Sequence, residues 1–228
     1  MEAQQDAWAT QLTATDCHDR ATLSVVGGLD THWITEDEGV AALVVLSWPH
    51  LELLHNTFQH FLPTIPYKAG FLGFRECEAY TLLFNRVRGT SLEPQLLFVD
   101  GCGVLHPRSC GSASQLGLML DIPTIGISKT LNSRSKLSDK QVKDNMLATN
   151  SLQLPILDHA GLVVGCAVRK SLEHRQPVYV SCGHKISLDT AVELAKTSCL
   201  FKIPEPVRQA DKLARQQAGG WQACCAPD

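Results

Sequence analysis

The rhythm of apolar and polar positions changes repeatedly along this chain, and the changes divide it into elements. Residues 1–20 are polar, a pattern expected of a frayed or loosely docked helix. Then come three largely apolar segments, Leu23–Leu29, Val40–Trp48 and Leu51–His60, separated by polar turns. Thr35-Glu36-Asp37-Glu38-Gly39 is a hairpin signal between the first two, so the region predicts an antiparallel three-strand meander. Pro63, Pro66 and Gly70 mark a loop. After it Phe74, Cys77, Tyr80, Phe84 and Val87 recur at the spacing of one helix face.

Pro94 restarts the chain into a buried strand that ends at Asp100. A helix over Ser112 to Leu120 and a short strand, Thr124–Ile127, follow. Strand, helix and strand at this spacing predict a right-handed parallel crossover. Next come a polar helix over 138–149, a hairpin around Asp158-His159-Ala160-Gly161, a strand over Val178–Ser181 and a helix capped by Ser187. Pro206 starts a last helix and Gly219-Gly220 opens a tail. The expectation is an α/β fold: a mixed sheet, antiparallel meander first and parallel strands after it, with helices on both faces. It places one domain at 21–217, a flexible segment at 1–20 and a disordered tail at 218–228.

At 228 residues and 44% hydrophobic content the chain can bury a sizeable core, and with 6% aromatics that core must be mostly aliphatic. The formal charge of −3 does not advertise a nucleic-acid binder, but its distribution does more. Residues 1–100 hold 5 Lys and Arg against 13 Asp and Glu, a net of −8, whereas residues 101–228 hold 15 against 10, a net of +5. This asymmetry fits an acidic metal centre facing a basic phosphate-binding surface, and equally a chance distribution of solvated faces. Nine cysteines without a C-x-x-C pair argue for a reducing compartment, cytoplasmic or nuclear, and against a disulfide framework. No run is long enough to span a bilayer, and Met1 to Gln11 has no signal-peptide pattern, so the expectation is a soluble intracellular chain.

Candidate chemistry concentrates at strand ends. Asp100 closes Leu96-Leu97-Phe98-Val99, and Gly101 and Gly103 then turn the chain beside it, with His106 and Arg108 following. Asp30 closes the Leu23–Leu29 strand in the same way. An acid at the end of a core strand suits a hard cation, and glycines let a ligand touch bare backbone. Glu76, in the first turn of the helix after the loop, can point back at the sheet edge, so the three acids make a plausible Mg²⁺ site. Taken singly, each acid reads equally as a cap or a surface charge. Lys129 ends the Pro123–Ser128 run and His184 follows Val178–Ser181, suited to offsetting phosphate charge and to moving a proton. Alone they read as an edge lysine and a turn histidine; together the four strand ends point to a metal-dependent phosphodiesterase.

Other signals fail. Gly101-x-Gly103 lacks the third glycine of a dinucleotide fingerprint, and Gly111-Ser112-Ala113-Ser114-Gln115 lacks the serine of a nucleophile elbow. Cys102, His106 and Cys110 have no fourth zinc ligand nearby.

Assembled, these residues resemble the endonuclease V family, inosine-directed nucleases with a ribonuclease H-like fold. The resemblance runs from Leu23 to Arg215. Gly27-Gly28-Leu29-Asp30 resembles the family's first acidic strand, and Pro66-Tyr67-x-x-Gly70-Phe71-Leu72-x-Phe74-Arg75-Glu76 its signature loop. The run Asp100-Gly101-x-Gly103-x-x-His106-Pro107-Arg108 resembles its second acidic block. Gly183-His184 and Pro204-Glu205-Pro206-x-Arg208-x-Ala210-Asp211 resemble its C-terminal signatures.

The resemblance implies Asp30, Glu76 and Asp100 as metal ligands, for Mg²⁺ with Mn²⁺ as a substitute, and Lys129 and His184 as completing the catalytic set. It implies Pro66 and Tyr67 as a wedge, and Leu72, Gly101 and Gly103 as the pocket for an extruded hypoxanthine. His106 and Arg108 count as substrate-binding. The implied activity of the monomer is hydrolysis of a phosphodiester 3′ to inosine, one nucleotide removed, in single-stranded RNA. The alternatives are a deoxyinosine-specific DNA repair endonuclease and a catalytically weak inosine-RNA binding module. The last is motivated by Gln115, where the family often has His, and by the bulky Thr31-His32-Trp33 after Asp30.

Overall fold

The computed structural model describes residues 1–17 and 19–224, with side-chain surroundings through Gly220. Its strands are β1 (Val25–Thr35), β2 (Glu38–Ser47), β3 (Leu53–Phe61), β4 (Leu96–Asp100), β5 (Thr124–Ser128), β6 (Gln153–Leu157), β7 (Val163–Val168) and β8 (Val178–His184). Its helices are α1 (Glu2–Ala9), α2 (Gly73–Asn85), α3 (Ser112–Leu120), α4 (Asp139–Ala148), α5 (Leu188–Thr197) and α6 (Glu205–Cys224). All the strands join one sheet in the order β3-β2-β1-β4-β5-β8-β7-β6.

Strand alternation sorts the core into two layers. Val26, Phe98, Ile125, Ile127 and Val180 pack with Leu194, Val207 and Ala210 of α5 and α6. Leu29, Leu43, Val45, Leu97 and Val99 pack with Tyr80, Leu83, Phe84 and Leu116 of α2 and α3. Helices therefore cover both faces, and β2 is buried along almost its whole length. A third cluster, with Leu105, Met146, Ile156 and Tyr179, lies under α4, whose N-terminus carries a Ser138–Gln141 capping box.

The meander appears as expected, β1 antiparallel to β2 and β2 to β3. The crossover also holds, with β4 parallel to β1 and β5 parallel to β4. The structure corrects three expectations. First, β1 does not end at Asp30 but runs on to Thr35 against β2, because Thr31, Trp33 and Ile34 suit a strand that has only one neighbour left. Second, β8 is antiparallel to β5, with Thr124 opposite His184, so the sheet beyond β5 is not parallel. Third, α6 continues to Cys224, through Gly219-Gly220 where a tail was expected, and residues 225–228 lie outside the described residues.

Of the two expectations for the N-terminal segment, frayed or loosely docked, α1 follows the second. Gln5 is 2% exposed, and its side-chain amide donates to the carbonyls of Gly70 and Cys110, each at 3.0 Å. Trp8 stacks on Phe74 with ring centroids 5.4 Å apart. Among the described residues, no helix is long and apolar enough to cross a membrane.

Candidate active site

β4 pairs with β1 only as far as Leu29 opposite Val99. Asp30 and Asp100 are the next residues on the two strands, so a parallel register sets their side chains on one face at the point where the strands part. Asp30 is 2% exposed; its Oδ1 accepts the Thr31 backbone N–H at 2.7 Å, and its Oδ2 has no hydrogen-bond partner. Lys129, just past β5, brings Nζ to 3.0 Å from Asp100 Oδ2 and 3.6 Å from Asp30 Oδ2. Burial, then the Asp100 charge, push Asp30 up to about 9, against the pull of Lys129. Burial works against the Lys129 ammonium, but Asp100 and Asp30 outweigh it and hold that group above its ordinary value.

Glu76 reaches the same place from the opposite layer, in the first turn of α2. It is buried, and its Oε1 accepts from Trp33 Nε1 at 3.2 Å. Burial and the Asp100 charge push it up to about 8. The bulky residues after Asp30 therefore hold acids in place. Thr31 serves Asp30 and also donates to the Tyr80 hydroxyl at 2.9 Å, while Trp33 serves Glu76 and is backed by the Arg75 guanidinium 4.2 Å from its ring centroid.

A cleft of about 520 Å³ opens beside these acids, with Tyr67, Leu72, Gly101, His106 and Lys129 among its walls. Gly101 has φ +130°, a conformation that requires glycine, and its N–H donates to Ile127 O at 2.8 Å. Tyr67 is 58% exposed, at the rim. Pro66 is exposed in the same loop and does not line the cleft. The Gly70 carbonyl anchors that loop, accepting from Gln5 Nε2 and His106 Nε2, each at 3.0 Å, and from Arg108 Nη2 at 3.2 Å. His106 Nδ1 accepts the Arg108 backbone N–H at 3.2 Å, so the ring is a neutral Nε2–H tautomer. Burial and the Arg108 charge push His106 down to about 4. Arg108 also stacks over Phe71 at 4.4 Å, so both basic residues brace the loop.

Two expected site residues lie elsewhere. Gly103 sits against β8, where a Cβ would fall 1.8 Å from Cys182 O, and its N–H donates to Ser181 Oγ at 2.9 Å; it does not line the cleft. His184 stands beside Thr124 at the start of β5, whereas Lys129 follows the end of β5, a separation of roughly 16 Å at the rise of a strand. Its Nδ1 accepts the Thr13 N–H at 3.3 Å and its Nε2 lies 3.8 Å from Asp121 Oδ1, so it holds the N-terminal segment. Antiparallel β8 is the cause: its last residue lies at the end of the strands opposite Lys129. Gln115 packs at Gly73, where a Cβ would meet its Oε1 at 2.7 Å, and it too stays out of the cleft.

One acid that spacing alone did not single out joins the site. Asp211 of α6 is close enough for its charge to raise both Asp30 and Lys129. The stripe Val207, Ala210, Ala214 and Ala218 is buried and fixes the rotation of α6, leaving Asp211 on its flank.

Among the described residues, no three His, Cys, Asp or Glu side chains stand as a ready-made metal cage. The donor set nonetheless fits a hydrated hard cation, which takes one or two carboxylates and completes its shell with water and phosphate oxygens. A buried carboxylate oxygen with no hydrogen-bond partner besides its ion pair to Lys129, and two acids pushed up by burial and by the Asp100 charge, mark a place that favours added positive charge.

The family model described as Endonuclease V matches residues 6–212. Human Endonuclease V is 40% identical over 201 residues, 85% of this chain and 71% of that protein. The mouse protein is 38% identical, and the chain spans 60% of its length. A crystal structure of the human protein superposes with a TM-score of 0.91 at 35% identity, covering 96% of this chain and 97% of that one. Endonuclease V of Ciona intestinalis, crystallised with a 24mer DNA containing an inosine followed by a ribo-adenosine, superposes with a TM-score of 0.90 at 29% identity, covering 96% of each chain.

Proposed function

The chain belongs to the endonuclease V family, nucleases that act at inosine and depend on a divalent metal, and from that premise we propose that it is an endoribonuclease. It hydrolyses the phosphodiester 3′ to inosine, one nucleotide removed, in single-stranded RNA. Asp30, Glu76 and Asp100 hold Mg²⁺, with Mn²⁺ able to replace it, and Asp211 assists from α6. The observation that carries the reading is the Oδ2 of buried Asp30, without a hydrogen-bond partner and 3.6 Å from the Lys129 ammonium, in an open cleft.

When bound, the divalent ion neutralises charge on the phosphate and acidifies a water molecule. The chain's own groups do the rest. Lys129 stays protonated and meets negative charge that builds on the phosphate. Tyr67, exposed at the rim, offers an aromatic face where an extruded base leaves its stack. Leu72 and Gly101 wall the space that receives that base, with Gly101 leaving its backbone open to contact. The RNA preference draws support from the Ciona complex, in which a ribonucleotide follows the inosine.

The test maps product ends on a single-stranded RNA bearing one inosine, beside the matched DNA bearing deoxyinosine, with Mg²⁺ and with Mn²⁺. One cut, one nucleotide beyond inosine, faster in RNA and lost in Asp100→Ala, is the expected result. Preferential cutting of the deoxy strand would make the chain a DNA repair enzyme. Tight binding without product under either metal would make it a binding module.

A further inference from the structure

We propose that Arg215 is a phosphate-binding residue on the α6 side of the cleft, gripping the nucleic-acid backbone beside the bond that is cut. The inference rests on the reading of the chain as an inosine-directed nuclease and adds a substrate contact to that site.

Arg208, Asp211 and Arg215 follow one another at intervals of three and four residues, so they share one flank of α6. The stripe beside them, Val207, Ala210 and Ala214, is buried, and the helix packs on β1, with Pro206 against Gly28. Arg215 Nε lies 2.9 and 3.0 Å from the two Asp211 oxygens, which orients the side chain and uses one donor. Nη1 and Nη2 make no hydrogen bond among the described residues, and the side chain is 59% exposed. A forked pair of free amino groups is the geometry that matches two phosphate oxygens.

The other arginines around the cleft are committed to the protein. Arg75 binds Glu36 O and backs Trp33. Arg108 binds Gln5 and Gly70, Arg134 binds Val104 O and Ser109, and Arg208 is bidentate to Glu205. Through its bond to Asp211 the guanidinium is carried by the helix whose first turn touches β1 at Gly28, two residues before Asp30. An exposed pair within one helix contributes little to stability, so service to Asp211 alone is a small return for this placement.

The test is single-turnover cleavage of a single-stranded RNA bearing one inosine, with Mg²⁺, over a KCl series. The proteins are wild type, Arg215→Gln, Arg215→Lys and, as a remote charge control, Lys140→Gln. For Arg215→Gln the half-saturating enzyme concentration rises about tenfold, the maximal rate changes by less than about threefold, and the melting temperature is unchanged. The slope of log affinity against log salt becomes shallower by about 0.7, the loss of one single-strand phosphate contact. Arg215→Lys restores the slope but not the full affinity, and Lys140→Gln changes neither. An unchanged salt slope in Arg215→Gln, or a shifted Mg²⁺ requirement with wild-type RNA affinity, overturns the proposal and leaves Arg215 as a support for Asp211. Wild type that fails to cut the RNA brings down the functional reading itself, and this proposal with it.

Discussion

Gly28 of β1 and Pro206 of α6 are in backbone contact: a Cβ on the glycine would lie 2.0 Å from the proline carbonyl oxygen. Gly28 and Asp30 face the same way along β1, and Asp211 lies five residues beyond Pro206 on the helix, so this contact sets how near Asp211 comes to Asp30. Gly28→Ala meets backbone that cannot rotate aside, so α6 must shift. The expected loss is about 1–3 kcal/mol or more of stability, with a raised Mg²⁺ requirement for cleavage. Chemical denaturation and a Mg²⁺ titration check it; a variant matching wild type in both would show that the approach is not needed.

Without a divalent ion the protein should lose stability as pH rises. Asp30 titrates at 3.8 when unfolded and about 9 when folded, and Glu76 at 4.5 and about 8. Between those limits the folded chain holds protons that the unfolded chain has released, so stability falls with pH across that window. Mg²⁺ or Mn²⁺ replaces those protons and should raise the melting temperature more at pH 8 than at pH 5. Thermal scans in EDTA and in each metal decide it; a metal-independent curve would remove the ion from this site.

Asp211→Asn and His184→Ala should separate cleanly. Neutralising Asp211 leaves the fold intact and lowers the cleavage rate about 100-fold, as loss of a group that acts on the reacting centre does. Removing the His184 ring, far along the sheet, costs about 1 kcal/mol through its Thr13 bond and leaves the maximal rate within about twofold. Rates and melting temperatures of both variants test the pair, and a large rate loss in His184→Ala would restore it to the catalytic set.

Alternation and turn chemistry made β2, β4, β5, the β6–β7 hairpin and the Ser187 cap readable in sequence, because each is decided locally. Strand direction is not local. Nothing in Val178–Ser181 says whether it enters the sheet parallel or antiparallel, and that one choice put His184 at the opposite end of the strands from Asp100 and Lys129. Gly103 misled for a related reason: a glycine needed for close packing on β8 looks the same in sequence as one kept bare for a ligand. Asp211 was readable only as part of a motif, since its approach to Asp30 depends on how α6 lies across β1.

His106 should make the substrate loop sensitive to acid. Its ring titrates at 6.5 when unfolded and about 4 when folded, so between those values the unfolded chain takes up a proton that the folded chain refuses. Stability from this group is therefore intact above pH 6.5 and is lost as pH falls toward 4. His106→Gln should flatten that limb of the melting curve at fixed Mg²⁺; a limb of unchanged slope would place the acid sensitivity elsewhere.

The wedge reading of Tyr67 makes the sharpest separation between stability and binding. The ring is 58% exposed, and its loop is anchored through the Gly70 carbonyl rather than through the ring. Tyr67→Ala should therefore leave the melting temperature close to wild type, as surface changes do. If the ring stacks where the inosine base leaves the strand, its loss costs about 1–3 kcal/mol of substrate binding, roughly 5- to 150-fold. Tyr67→Phe keeps the aromatic face and should recover most of that, because stacking needs no hydroxyl. Competition by an inosine-free strand supplies the control, since a wedge acts at the extruded base and not along the whole backbone. Equal weakening toward both strands would make Tyr67 a general backbone contact, and no weakening toward either would leave the loop without a part in recognition.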